Sequence, residues 1–160
     1  MTNGITTLME YLKICADKAK NIEKYFRDNA NNPNFSYELK QNPKEISNRI
    51  NDFAVIFIKK RDDVLAQLEN LEKQLKKYEK LKHLGKETEH LAEKVKHTLK
   101  RKGQKVIDEI KKLNLNKTPS EIQKQITDRL MHIIEAIEEF YKKCEKYYKT
   151  AEEIQKKIAI

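Results

Sequence analysis

Apolar side chains near the start of the chain recur in steps of three and four residues, which is the spacing of one face of an α-helix. Six positions follow this spacing: Leu8, Leu12, Cys15, Ala19, Ile22 and Phe26. Thr6 or Thr7 can supply the N-cap, because a hydroxyl oxygen accepts a hydrogen bond from a free backbone N–H of the first turn. The spacing therefore predicts a first helix over about residues 6–29.

The same spacing continues for longer near the end of the chain, through about five heptads. Its apolar positions are Ile122, Ile126, Leu130, Ile133, Ile137, Phe140, Cys144, Tyr147, Ala151, Ile154 and Ile158. Thr118 is a capping residue, Pro119 suits the first helical position, and Glu121 completes a capping box. The pattern predicts a long helix over about 119–158 that packs in the manner of a coiled coil.

Two further helices are predicted between these. One covers about 43–84, beginning with Pro43 in its first turn and ending where Gly85 is expected to form the C-terminal cap. Its stretch Ala54–Ile58 is apolar on every side, so we expect it to be the most buried part. The other helix covers about 88–113.

The segment between residues 29 and 43 is predicted to be a loop. It is rich in Asn, which favours turns, and Pro33 disfavours helical geometry in the residue before it. At about 15 residues it is longer than most connections, and such loops are often functional or mobile. The simpler interpretation is a crossover that Phe35 and Tyr37 pin to the neighbouring helices.

Short connections between these helices predict an all-α fold, an antiparallel bundle of about four amphipathic helices within one domain, 1–160. The second and fourth helices would span about 60 Å and the other two less, so the long pair would overhang and leave an apolar seam. A second copy, the folded-back loop or another protein would cover such a seam, unless the long helices kink. Gly103 falls on the seam of the third helix and marks either a close approach or a bend.

The composition agrees with long helices, because 37% of residues are charged and the chain has only 3 Gly and 3 Pro. The longest apolar run, Phe53–Ile58, is far below the roughly 20 residues that cross a bilayer, so no transmembrane segment is expected. The first residues lack the pattern of a secretory signal, which favours an intracellular location. A chain trimmed of an export signal would look the same, so both locations stay open.

Positive charge is concentrated in one part of the chain. Residues 71–117 contain fifteen Lys or Arg and seven Asp or Glu, a net of +8, whereas the remainder has nineteen against eighteen. The excess falls on the predicted hairpin between the second and third helices. The candidate partner-binding residues are Lys73, Lys77, Lys80, Lys94, Lys100, Arg101, Lys105 and Lys112. A solvated lysine-rich face, or a compositional bias toward Lys, Asn and Ile, would give the same pattern without a function.

The sequence shows no recognisable catalytic or metal-binding motif. His83, His90 and His97 recur every seven residues, which separates neighbours by about 10 Å along a helix, too far to share one ion. Glu87-x-x-His90 occurs once, whereas a di-metal bundle needs two copies. We therefore expect no enzyme activity, no metal and no cofactor.

The two cysteines do not form a C-x-x-C motif. Cys15 and Cys144 occupy seam positions on the first and fourth helices, which are expected to be neighbours. They are either buried free thiols, which behave as small hydrophobic side chains, or a disulfide that joins the two helices. A disulfide would indicate an exported protein.

The leading functional interpretation is a non-enzymatic interaction protein of the adaptor, chaperone, surface-binder or effector type. It would bind a protein partner through the basic hairpin and the exposed apolar seam. The first alternative is nucleic-acid binding through the Lys-rich hairpin 73–117, since a cationic stripe binds phosphates by releasing counterions. The second is a self-assembling coiled coil, with a homodimer as its simplest form.

Overall fold

The computed structural model describes residues 3–159 and contains only helices and their connections there, so the predicted all-α bundle is confirmed. Helix α1 covers Asn3–Asn29 and α2 covers Pro33–Gln41. Helix α3 runs through Lys44–Ala54, the π-helical turn Val55–Lys59 and Lys60–Lys76. After a 3₁₀ turn at Glu79–Leu81, α4 runs through Lys82–Lys94, a second π turn at Val95–Leu99 and Lys100–Lys111. Helix α5 covers Pro119–Ala159.

The first residues of α5 and α1 test the helix caps that the sequence predicts. Thr118 caps α5 as predicted, since its Oγ1 accepts from the Glu121 backbone N–H at 3.3 Å, and the Glu121 Oε1 accepts from the Thr118 hydroxyl at 2.9 Å rather than from the backbone N–H of a full capping box. The predicted caps of α1 are wrong, because the helix already begins at Asn3 and Thr7 donates its hydroxyl to the Asn3 carbonyl within the helix. Ile5 in this first turn is buried and lies three residues before Leu8, so the apolar spacing itself extends beyond the predicted start.

The predicted loop between residues 29 and 43 is wrong, because most of it forms α2. The Asn32 side chain accepts a hydrogen bond from the Asn34 backbone N–H at 3.0 Å, which makes Asn32 an N-cap with Pro33 directly after it. Phe35 is buried and anchors α2, as expected, whereas Tyr37 is exposed and anchors nothing.

The predicted boundary between the second and third helices is also wrong. Helix α3 ends at Lys76 rather than 84, and Tyr78 is extended, so α4 already begins at Lys82. Gly85 is not a cap: it lies inside α4, where a Cβ atom would stand 2.6 Å from the Lys76 Cγ and 3.2 Å from the Glu72 carbonyl oxygen. This glycine is required for the close approach of two helices directly after their turn.

The expectation that Ala54–Ile58 is the most buried part of its helix is wrong as well. Phe57 is buried, but Val55 and Ile58 are 48% and 40% exposed. Neighbouring helices cover only part of the circumference of α3, so a segment that is apolar all round still presents one side to solvent. On α4, Gly103 marks a close approach, since a Cβ there would lie 2.3–2.8 Å from carbons of the Phe57 ring.

Neighbouring helices run antiparallel, and contacts between side chains fix the order of packing. Helix α1 packs along α3, with the Tyr11 hydroxyl on the Phe57 carbonyl, and along α5, with Arg27 on Glu138. Helix α4 packs along α3 and along α5, where Lys102 pairs with Glu139. The buried apolar side chains form one continuous core. Its centre holds three aromatic rings with centroids 5.2–5.5 Å apart, those of Phe53, Phe57 and Phe140.

The exposed apolar seam expected on the long helices is absent from the described residues. Ile122, Ile126, Ile137 and Ile154 of α5 are all buried within the chain. Helix α2 packs against α5 and covers the part of α5 that extends beyond α1, so the folded-back segment closes the overhang. Within residues 3–159, no helix combines the length and apolar character that a membrane crossing requires.

Candidate functional site

All eight candidate partner-binding residues are exposed, but the structure does not bring them together. Lys73 lies at the end of α3, and Lys77 and Lys80 lie in the connection to α4. Lys94, Lys100, Arg101 and Lys105 lie on α4, and Lys112 directly follows the far end of that helix. A helix of this length spans about 45 Å, so the turn and the far end of α4 cannot form one site.

Three cations of α4 and the residue that directly follows it make up what we call the cationic flank: Lys94, Arg101, Lys105 and Lys112. Steps of 4 and 7 residues keep Arg101, Lys105 and Lys112 within about 40° around the helix, whereas the π turn Val95–Leu99 separates them from Lys94, and the four residues span about 27 Å along the helix. Between residues 94 and 105 the chain carries six Lys or Arg and no Asp or Glu. The part of the flank between residues 94 and 105 therefore contributes only positive charge to the outside of the bundle.

Carboxylates of α5 and of α4 itself neutralise only part of this charge. Glu139 lies 3.0 Å from the Lys102 Nζ and 3.9 Å from the Lys105 Nζ, and the hydrogen bond from Lys102 lowers the pKa of its carboxyl group. Glu109 accepts from Lys112 at 2.8 Å, which lowers the pKa of Glu109 in the same way. Lys94, Lys100 and Arg101 form no ion pair with any residue among 3–159, so their charges remain available to a partner.

Lys100 lines the same outer surface of α4 as Arg101, Lys105 and Lys112, and Lys96 borders both this surface and a second one, the groove between α3 and α4. The groove has a volume of about 450 Å³ and a floor of Leu65, Ala66 and Ala92. Five carboxylates and one lysine line it: Asp62, Glu69, Glu72, Glu89, Glu93 and Lys96.

Sequence reasoning missed this groove, because its acidic residues are spread over two helices that are distant along the chain. Lys76 crosses it, donating to Glu72 at 2.8 Å and to Glu89 at 2.7 Å. These hydrogen bonds lower the pKa of Glu89 and raise that of Lys76. The only sequence signal is the helical spacing of Asp62, Glu69 and Glu72.

The buried polar cluster around Tyr11 offers no reactive group. Cys15 and Cys144 are buried free thiols, as one of the two sequence interpretations expected. Burial raises the pKa of Cys15 to about 12 and also raises the pKa of Cys144 and of Tyr11, so all three stay protonated. A protonated, buried thiol is a poor nucleophile and a poor metal ligand.

The histidines and carboxylates do not converge on a metal site. His83, His90 and His97 are exposed, and His97 Nε2 lies 3.0 Å from Glu93. Among residues 3–159 there is no group of three or more His, Cys, Asp or Glu side chains placed to hold one metal ion.

Comparison of the chain with protein-family models, with curated proteins and with solved structures finds no match of any of the three kinds.

Proposed function

We propose that the chain is a non-enzymatic binding module whose cationic flank docks an acidic α-helix of a protein partner. One observation carries the proposal: the cationic flank of Lys94, Arg101, Lys105 and Lys112 has no carboxylate in the sequence between residues 94 and 105. Lys94 and Arg101 have no ion-pair partner within residues 3–159. Surface charges of one sign that the chain leaves uncompensated attract and orient a partner of the opposite sign.

The geometry of the flank favours a helix as the partner. A second helix packed alongside α4 at a shallow angle presents its side chains with the same steps of seven and four residues. Glutamates at those steps would meet the four cations one by one. The apolar seam that the sequence predicts to be exposed has no part in this proposal, because α2 and the rest of the bundle cover it.

Two features favour an acidic protein over nucleic acid. Three of the four cations in the flank are Lys, which binds as a point charge, whereas Arg supplies the bidentate fork suited to phosphate. Aromatic side chains that could stack on bases are also remote, because the exposed Tyr37 and Tyr78 lie on α2 and in the turn between α3 and α4.

The test uses a fluorescent helical peptide that carries four glutamates at steps of 7, 4 and 7, and a scrambled peptide of the same composition. Fluorescence anisotropy is measured with the parent protein and with the triple reversal K94E/R101E/K105E. Each reversal removes an attraction and adds a repulsion worth roughly 0.2–1 kcal/mol each, so binding of the spaced peptide weakens at least about tenfold. The charge-matched control K40E/K44E/K124E changes exposed lysines on other surfaces and leaves binding within about twofold.

Labelled duplex DNA and single-stranded RNA serve as competing probes at about 50 mM salt, where electrostatic affinity is greatest. The proposal requires the spaced peptide to bind more tightly than the scrambled peptide and either nucleic acid. Preferential binding of a nucleic acid, or equal binding of both peptides, would refute it.

A further inference from the structure

A second groove, between α1 and α5, has an apolar floor. Leu12, Ala16 and Cys144 form this floor, and all three are buried. Ala16 and Cys144 have small side chains, so the two helices leave an open space of about 330 Å³ between the longer side chains around them. This volume lies at the lower end of the range for small-molecule sites, roughly 300–1,000 Å³.

The rim of the α1–α5 groove carries an aromatic ring and an excess of positive charge. Tyr148 is partly buried and lines the groove. The charged residues of the rim are three lysines and two carboxylates: Lys13, Asp17, Lys20, Glu145 and Lys149. Such a groove combines an apolar surface with a few charged groups that can orient a ligand.

Two of the lysines are unpaired and lie toward the same end of the groove. Lys20 lies 3.7 Å from Glu145, which places these two residues at the same level of the antiparallel helices. Lys13 lies seven residues before Lys20 and Lys149 lies four residues after Glu145, so both lie on the same side of that pair, about 10 and 6 Å along the helices. Neither Lys13 nor Lys149 forms an ion pair with any residue among 3–159. Tyr148 lies between them and the Lys20–Glu145 pair.

We propose that the α1–α5 groove binds a small aromatic anion, a ring system that carries one carboxylate or sulfonate group. The ring system packs on Ala16 and Cys144 and against the ring of Tyr148, since aromatic rings attract one another in offset-stacked and edge-to-face arrangements. The anionic group faces Lys13 and Lys149, whose charges the chain leaves uncompensated.

The other charges of the groove favour this orientation of the ligand. Lys20 is already engaged, because it pairs with Glu145 and its Nζ lies 5.1 Å from the centroid of the Tyr141 ring. Asp17 lies at about the level of Tyr148 and repels an anionic group from the middle of the groove. Burial raises the pKa of the Cys144 thiol, so the floor adds no charge. The end with two unpaired lysines is therefore the most favourable position for the anionic group.

The groove between α3 and α4 provides an internal comparison. Its floor of Leu65, Ala66 and Ala92 is similarly apolar, but five carboxylates and no aromatic ring line it. An aromatic anion would be repelled there. Ala92 and Ala16 therefore report on two grooves of similar floor and opposite charge.

Two dyes with the same rings test the proposal. 8-Anilinonaphthalene-1-sulfonate carries a sulfonate group, and N-phenyl-1-naphthylamine lacks it. Fluorescence titration of the folded parent protein should show one site per chain for the sulfonate dye, with a Kd of about 20–100 μM. Absence of saturable binding of the sulfonate dye up to about 1 mM would overturn the proposal.

Charge reversal tests the two lysines. K13E/K149E should weaken binding of the sulfonate dye about tenfold and change binding of the uncharged dye less than about twofold, because only the sulfonate dye interacts with their charge. The control K40E/K44E reverses two exposed lysines outside the groove and should leave both dyes within about twofold of the parent protein. If K13E/K149E binds the sulfonate dye like the control, the two lysines do not hold the anionic group and the proposal is wrong.

Filling the floor tests the position of the ring system. Ala16→Met should weaken binding of both dyes at least about tenfold, whereas Ala92→Met, the same change in the groove between α3 and α4, should leave it within about twofold. Circular dichroism checks that each variant is folded. In the parent protein, ¹H–¹³C spectra of the alanine methyl groups give the same information without a substitution: the sulfonate dye should shift the Ala16 signal and leave the Ala92 signal in place. A bound dye that shifts Ala92 but not Ala16 would place the site elsewhere and contradict the proposal.

This inference is independent of the proposed function, because the groove and the cationic flank share no residue. K94E/R101E/K105E should lose the spaced peptide and still bind the sulfonate dye, and K13E/K149E should show the reverse. Loss of the dye in K94E/R101E/K105E would mean that the dye binds the flank, which would overturn the groove proposal and leave the peptide result unaffected.

Discussion

Tyr11 links α1 to the π turn of α3 through a buried hydrogen bond. Its hydroxyl donates to the Phe57 carbonyl at 2.8 Å inside the core. A π turn changes the regular backbone hydrogen bonding of a helix, and buried carbonyls need a donor. Burial raises the pKa of Tyr11, so the hydroxyl keeps the proton that it donates. One side chain of α1 thus stabilises an irregular turn on the neighbouring helix.

Tyr11→Phe should therefore destabilise the fold while leaving the apolar packing of the ring in place. The Phe57 carbonyl loses its donor, which costs about 1–2 kcal/mol of unfolding free energy. Urea denaturation followed by circular dichroism measures the change. Tyr78→Phe is the matched control, because Tyr78 is 56% exposed, and it should shift stability by less than about 0.5 kcal/mol. Equal losses for the two substitutions would mean that the buried hydrogen bond has no specific role.

Helix α2 shows how one sequence signal supports two interpretations. Asn32-Pro33 in an Asn-rich segment predicts a turn, whereas Thr118-Pro119 before a long apolar seam predicts a helix start. In the structure both pairs are a capping residue followed by Pro in the first turn. The seam of α5 is long and uninterrupted, which identified its helix, but a nine-residue helix offers only Phe35 and Leu39 as buried apolar positions.

Phe35→Ala tests whether α2 is an integral part of the bundle. Phe35 is buried and its ring packs edge-to-face on Tyr25, with centroids 5.3 Å apart. Removing it should lower the unfolding free energy by about 3–5 kcal/mol, measured by urea denaturation. Tyr37→Ala, on the same helix but exposed, should cost less than about 0.5 kcal/mol. A loss below about 1 kcal/mol for Phe35→Ala would indicate that α2 is a dispensable connection.

The boundary between α3 and α4 could not be predicted from local signals, because tertiary packing determines it. Gly85 follows an apolar seam and so resembles a C-terminal cap, but its role is to let Lys76 and Glu72 pass close by. The cationic flank was predictable, since its residues lie on one helix and share its period. The acidic groove was not, because it exists only once Asp62 of α3 and Glu93 of α4 are brought together by the antiparallel turn.

The charges of the bundle also join its helices. Lys102 and Glu139 link α4 to α5 near the middle, Arg129 lies 3.7 Å from Glu109 near one end, and Lys157 lies 3.5 Å from Glu87 near the other. A single ion pair on the surface contributes little to the free energy of unfolding, with a median near 0–1 kcal/mol. All of these pairs need an ionised carboxylate, so the attraction is lost when that carboxylate is protonated.

Acid should therefore destabilise the bundle through Glu109 and Glu139, whose pKa values are lowered by the hydrogen bonds from Lys112 and Lys102. A carboxyl group whose pKa is lower in the folded than in the unfolded protein contributes stability that is fully present above the unfolded pKa, about 4.3 for Glu. That contribution is lost as the pH falls through the lowered value. The unfolding free energy should stay nearly flat from about pH 7 to 5 and decline below that.

E109Q/E139Q isolates this contribution from the protonation of all other carboxyl groups. The double variant should be less stable than the parent protein at pH 7 but should lose less stability on acidification, so the two urea-denaturation curves converge toward pH 3. The control E10Q/E153Q alters two exposed glutamates that form no ion pair within residues 3–159, and its difference from the parent should change less with pH. If E109Q/E139Q instead runs parallel to the parent protein from pH 7 to 3, the α4–α5 carboxylates do not govern acid stability. Other groups would then set the pH dependence.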